Sequence, residues 1–405
     1  MAVGEFNGKK WNTQVFDKYI DRVPNLSRNE LIKNGVYDVK NKYKAKMTNE
    51  DGGDLITTPI KGLLDGEVQN YDGVVTMVPT STKTFTQNKP VFGRMKAWQE
   101  KDFAAELTGV NWIKDIAGEV AQYYQGVDQA DLIAELTGIF GMNTSSGYSA
   151  QGNADFVNKH TTDITGATNP NVGASTLNNA VQKACGANKG IITLAFMNSE
   201  VATNLENLQL LTYMMYNDAN GIQRQLNIGT WNGRVVIVDD DIPTTEVDAE
   251  YALTSDEAVV DGKTYYTRSG SGTTQSPYVY TEVADPKTAS IASYYEMTAE
   301  AYTAYTTYLL GKGAFEYEDI GVKMPSEPVR DALTNGGIDI IATRQRHLLA
   351  PKWISYTQAS QASNSATTAE LANGANWELV NDGATSGRTF VNHKAIPIVR
   401  IISRG

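Results

Sequence analysis

The stretch from Thr108 to Met142, TGVNWIKDIAGEVAQYYQGVDQADLIAELTGIFGM, constrains the fold of this chain more than any other. Its apolar residues Val110, Ile113, Ala117, Val120, Tyr124, Val127, Ile133, Leu136 and Phe140 recur mostly three or four positions apart, which lines them along one side of a helix. About 30 helical residues span roughly 45 Å, against ~11–12 residues for an ordinary helix. Asp115, Glu119, Asp128, Asp131 and Glu135 fall off this stripe, and no heptad seam links the apolar positions, so a coiled coil is not expected. A strand-rich stretch precedes the helix, and a mixed region ending in an apolar strand follows it. The fold class that this order predicts is α+β.

Charge and cysteine usage narrow the function. The formal net charge of −11 argues against nucleic-acid binding over the whole surface, although it leaves room for a local basic patch. A single cysteine, Cys185, excludes an intrachain disulfide and fits folding in a reducing cytoplasm. Cys185 closes the helical pattern LNNAVQKAC and reads as a small packed residue rather than a nucleophile. No run approaches the ~18 consecutive apolar residues of a membrane span. The start, MAVGEFNGKKW, has no apolar signal core, so export by that route is not expected.

Residues 1–55 read as an extended arm. Lys40, Lys42, Lys44 and Lys46 lie in polar runs, short helices are plausible near Val15–Tyr19 and Arg28–Asn34, and Trp11, Phe16, Tyr19, Leu31 and Ile32 offer anchors for ordering on a neighbouring subunit. Residues 56–96 read as strands, ITTPI, VVTMV and KTFTQ, in a long projecting hairpin loop punctuated by Gly62, Gly66 and Gly73. Residues 143–176 are rich in Gly, Ser, Asn and Thr and read as a long contact-forming loop. A helix from Ser175 to Cys185, a buried strand GIITLAFM and a helix SEVATNLENLQLLTYM with Ser199 as its N-cap follow. WNGRVVIVDDDIP is a turn and an apolar strand.

From 245 to 293 the pattern changes to a small β unit, with an Asp261–Gly262 hairpin turn, a flexible SGSGTTQSP loop and the strand YVYTEV. MTAEAYTAYTTYLLGKGAF is predicted to be a helix closed by glycines, with Tyr302, Tyr305 and Tyr308 on a packing face. IDIIATRQRHLL and WISYT are strand-like, AELANGANWELV is a short helix and turn, and HKAIPIVRIISRG ends in an apolar strand packed into the fold.

Chemistry is sparse. His160, His347 and His393 have no ligand spacing to one another, and there is no HExxH, CxxC, Walker or Gly-x-Ser-x-Gly sequence. Asp239–Asp240–Asp241 is the strongest metal candidate, since hard cations favour carboxylates. Consecutive strand residues point to opposite faces, however, and Pro243 indicates a turn, so the triplet reads as a solvated turn. Glu316, Glu318 and Asp319 alternate with Tyr317 along a strand and lack the partner that an acid pair needs. No catalytic, cofactor-binding or metal-ligating residue is assigned. The 21 tyrosines suit large protein interfaces instead.

Several segments together resemble the major capsid proteins of tailed phages with the HK97-type fold. They are TTPI with its downstream strands, the long helix closing on Leu136, Gly138 and Phe140, FMNSEVATNLENLQLL, GTWNGRVVIVDDDIP with Gly233 in its turn, and the stretch from Gly311 to Thr357. The resemblance implies an N-terminal arm (1–55), an extended β loop (56–100), a peripheral domain with the spine helix (101–180), an axial domain (181–345) interrupted by a small β insertion (245–293), and C-terminal strands of the peripheral domain (346–405). It implies a non-enzymatic subunit that assembles with itself into hexamers and pentamers of an icosahedral head around double-stranded DNA, in the host cytoplasm and then in the virion. A separate scaffolding protein, a portal and decoration proteins are the implied partners, with no cofactor, no membrane and no sequence-specific DNA contact. A nanocompartment shell of the encapsulin type and a glycan-binding tail protein are the alternatives.

Overall fold

The computed structural model describes residues 3–6, 9–12, 35–44, 53–64, 66–72, 74, 76–77, 79–103, 112–217, 223–254, 263–273, 276–283 and 293–405. The two short helices expected in the arm, the anchors Phe16, Tyr19, Leu31 and Ile32, and the Asp261–Gly262 turn lie outside these residues. Strands β1 (Val3–Phe6) and β2 (Lys9–Asn12) pair antiparallel. Next come β3 (Tyr37–Val39), β4 (Leu55–Lys61) and the 18-residue β5 (Thr84–Lys101). β4 and β5 form an antiparallel hairpin from Leu55↔Pro90 to Lys61↔Thr84. Val74, Thr76 and Met77, the described residues of the expected strand VVTMV, lie in no strand and fall in the loop that joins β4 to β5.

The long helix, α1 (Trp112–Phe140), runs 29 residues. Glu119 is exposed, but Asp128, Asp131 and Glu135 are buried, although they fall off the apolar stripe. The reason is that the second half of α1 is covered almost all round, so it has no solvent face to give its acids. α2 (Ala150–His160) and β6 (Thr161–Asp163) interrupt what reads in sequence as one long loop. The polar helix AQGNADFVNKH gains its stability from tertiary packing, through buried Gly152, Asn153, Phe156 and His160.

α3 (Thr176–Cys185) and β7 (Ile192–Met197) form as expected. α4 (Ser199–Asn207) is shorter than expected, and its N-cap is Asn198, whose side chain accepts from the Glu200 amide, rather than Ser199. The residues taken as its second half belong to β8 (Leu211–Asn217), which pairs with β9 (Gln223–Trp231). A left-handed turn at Asn232 and Gly233 leads into β10 (Arg234–Val238).

β11 (Thr244–Val247) is followed by β12 (Glu250–Thr254), β13 (Tyr265–Ser269), β14 (Val279–Val283) and β15 (Tyr294–Ala299). The predicted helix over MTAEAYTAYTTYLLGKGAF is absent. Its first residues belong to β15, and the rest form β16 (Tyr302–Gly311), which is paired on both sides. Tyr and Thr favour extended backbone, and pairing partners decide such ambiguous segments. Then follow β17 (Phe315–Asp319), β18 (Ser326–Asp331), β19 (Ile338–Pro351), β20 (Ile354–Tyr356), α5 (Thr368–Leu371), β21 (Trp377–Leu379) and β22 (Ile398–Ser403).

Two large sheets organise the chain. The first runs β6-β22-β16-β7-β10-β9-β8 with β11 paired to β16, and the second runs β3-β17-β19-β5-β4 with β18 paired to β19. β12-β15-β13-β14 form a separate sheet, so the small β unit extends past residue 293 to include β15. β22 lies between β16 and β6, with Ile396, Ile398, Val399 and Ile401 buried and Ile402 half-buried. One apolar core joins the end of α1 to α2, β20 and β21, and a second packs α3 and α4 against the first sheet. The mixed α+β class is as the sequence predicts.

Candidate assembly surface

The root of the β4–β5 hairpin is fixed to the body by polar side chains of β5. Gln87 Nε2 donates to the Pro351 and Ile354 carbonyls, both at 2.9 Å, and Ser355 Oγ accepts from the Asn88 amide at 2.9 Å. Lys89 is buried, donates to the Tyr43 hydroxyl at 3.0 Å and pairs with Glu316. Two positions on from Glu316, the buried Glu318 accepts the backbone amides of Lys42, Tyr43 and Lys44 at 3.1, 2.8 and 2.6 Å. Asp319 accepts the Gly321 amide at 2.9 Å. Glu318 thus holds the segment 42–44, Glu316 holds the hairpin root, and Asp319 closes the turn after β17.

Beyond that root the loop is apolar and uncovered. Val68 and Tyr71 are each 98% exposed, and Leu63, Leu64, Val74 and Met77 are nearly as open. A cavity of about 420 Å³ sits beneath the loop's first turn, lined by Ile60, Leu63, Phe85, Trp353, Phe390 and Val391. A rigid stem with an exposed apolar loop is what a binding surface needs.

The body behind the hairpin carries a buried polar cluster. Arg94 on β5 grips Asp131 on α1 and donates to the Ala366 carbonyl at 2.8 Å. Gln345 on β19 donates to Asp128 at 3.1 Å, and His347 Nε2 lies 3.9 Å from the same carboxyl. Burial pushes Asp128 up to about 7, while burial and then Arg94 push His347 down to about 3. His347 is therefore a neutral imidazole while Asp128 exchanges its proton near neutrality, and the two do not form an ion pair. Burial raises Glu135 well above the usual carboxylate range, and neither of its oxygens has a hydrogen-bond partner among the described residues. The sequence carried a signal for this cluster: Asp128, Asp131 and Glu135 are spaced i, i+3, i+7 and so share one helix face.

Asp239, Asp240 and Asp241 make a turn. Asp240 accepts the Ser199 amide at 3.0 Å, and Asp239 accepts from Gln129 and from the Asp241 amide. Among the described residues no group of three or more His, Cys, Asp or Glu gathers as metal ligands. His160 and His393, distant in sequence, meet at 3.2 Å, and His160 Nδ1 donates to the Ile398 carbonyl at 2.7 Å. Cys185 is buried, and burial raises its thiol to about 11, so it offers no thiolate. No helix among the described residues is long and apolar enough to cross a membrane.

No family model matches the chain. It is a homologue of a phage shell protein: the major capsid protein of Bacillus phage SPP1 is 25% identical over 370 residues, 91% of this chain and 92% of that protein. Among solved structures, the cyanophage Pam1 capsid asymmetric unit is 10% identical with a TM-score of 0.48, covering 98% of this chain and 96% of that one. The head of Helicobacter pylori bacteriophage KHP40 is 9% identical with a TM-score of 0.47, covering 96% and 94%.

Proposed function

We propose that this chain is the major capsid protein of a tailed-phage head. Copies assemble as hexamers and pentamers into an icosahedral shell around double-stranded DNA. The observation that carries this reading is the collinear likeness to a phage major capsid protein over 91% of the chain. The hairpin loop supports it independently, because covering one fully exposed apolar side chain against a neighbour stabilises by roughly 1.5–3 kcal/mol.

In this reading β4, β5 and their loop are the extended loop that lies over a neighbouring subunit. α1 is the spine helix of a peripheral domain that residues 346–405 complete, residues 181–345 are the axial domain with the small β unit inserted in it, and residues 1–55 are an arm that crosses subunits. The subunit is structural, not an enzyme, and uses no cofactor, metal or membrane. A scaffolding protein, a portal and decoration proteins are its partners, and DNA is retained by confinement rather than by sequence-specific contacts. Assembly takes place in the host cytoplasm.

The test is to replace residues 63–82 with a short Gly/Ser turn. That change leaves Gln87, Asn88 and Lys89, which fix the stem, in place. The expected result is a native circular-dichroism spectrum with no particles in negative-stain images. Particles in normal yield would overturn the reading.

A further inference from the structure

The four-stranded sheet has two faces of unequal character. On one face Tyr265 and Tyr294 are almost fully buried, with ring centroids 6.1 Å apart. The strand register puts Tyr251, Tyr266, Tyr280 and Tyr295 on the other face, together with Arg268, Glu282, Met297 and the exposed Leu253. All four of those tyrosines are only half-buried. The outer face is rich in aromatic side chains.

The rings form one connected cluster. Tyr251 stacks on Tyr280 at 3.8 Å and meets Tyr266 at 5.0 Å, while Tyr280 meets Tyr295 at 5.4 Å. Arg268 lies over Tyr295 at 4.8 Å and over Tyr278 at 4.3 Å. Tyr278 is 47% exposed yet held in place, since a Cβ on Gly272 would come within 2.6 Å of its ring. The surface is therefore organised before any ligand arrives.

The residue types indicate what it takes. Seven of the chain's 21 tyrosines fall between Thr245 and Ala299, where there is no Phe and no Trp. Tyrosine offers a ring face together with a hydroxyl, so one side chain can both stack on a ligand and hydrogen-bond it. A ligand that covers Glu282 must replace its hydration. A sugar replaces it readily, because pyranose hydroxyls both donate and accept, whereas Arg only donates and an ionised Glu only accepts. The C–H face of the sugar ring stacks on tyrosine. A net charge of −11 disfavours an acidic glycan.

We propose that this face is a binding site for neutral hexopyranose chains. The test is native electrophoresis of the full-length protein in gels that contain dextran, a soluble β-glucan or galactomannan. At least one polysaccharide should retard the wild type. Arg268→Ala and Tyr278→Ala should each weaken retardation about tenfold, with circular dichroism and thermal melting unchanged. Tyr280→Phe keeps the ring stack and removes one hydroxyl, so it should weaken binding even if Tyr280→Ala fails to fold. Wild-type mobility that is the same in all three gels would overturn the proposal, as would retardation that these variants leave intact. Sedimentation that shows a dimer lost in Arg268→Ala would overturn it too, because the face would then be covered by a second copy.

Discussion

Arg94 and Asp131 meet at two points: Nε donates to Oδ2 at 3.0 Å and Nη2 to Oδ1 at 2.8 Å, with the carboxylate wholly buried. This pair ties α1 to β5, and hence the long helix to the stem of the hairpin. Removing the cation strands a buried charge, which costs about 3–5 kcal/mol. Arg94→Ala should therefore lower the unfolding free energy measured by urea denaturation by that amount, and Arg94→Lys should recover only part, since one ammonium cannot reproduce the fork. A loss below about 1 kcal/mol would mean that α1 is held by apolar packing alone.

Asp128 gives stability a downward slope as pH rises from about 4 to about 7. Its folded-state pKa is about 7, above the ordinary 3.8. The native protein thus binds a proton that the unfolded chain has released, and that contribution is present at low pH and lost as pH rises through 7. The Asp128 contribution to the melting temperature should fall between about pH 4 and 7 and level off above that. In Asp128→Asn the decline should flatten, and a parallel decline would exclude Asp128 as its source.

His160 acts in the opposite direction. Burial lowers it to about 4, and Nδ1 is committed to the Ile398 carbonyl while Nε2 faces His393. The unfolded chain takes up a proton that the native fold refuses, so stability is present above about pH 6.5 and lost as pH falls towards 4. His347, lowered to about 3, adds to the same loss. An NMR titration that showed His160 charging near pH 6.5 would contradict this account.

Gly138 should not tolerate alanine, although alanine favours helices. A Cβ there would lie 2.2 Å from the Leu371 carbonyl oxygen and 2.5 Å from Trp377 Nε1. Trp377 already donates to that carbonyl at 2.8 Å, so neither group can retreat without breaking the bond. Gly138→Ala should destabilise by about 1–3 kcal/mol or more. Unchanged thermal unfolding would show that α5 and Trp377 can move away from α1.

The sequence by itself determined the long helix, the strands β7, β10, β19 and β22, and the apolar interior of the last strand. In each, period and composition point the same way, and local preference agrees with the packing around it. The i, i+3, i+6 spacing of Tyr302, Tyr305 and Tyr308 fitted a helix, but β7 and β22 lie ready to pair with that segment, and only the assembled sheet settles its conformation. The roles of Asp128, Asp131 and Glu135 were hidden for the same kind of reason. A carboxylate on a helix reads as solvated until another element closes over it, and here β5 supplies Arg94 and β19 supplies Gln345 and His347. His160 and His393 come together across more than 200 residues of chain, where no spacing rule reaches. Pattern reports what a segment prefers by itself, while burial and partners depend on what the rest of the chain lays against it.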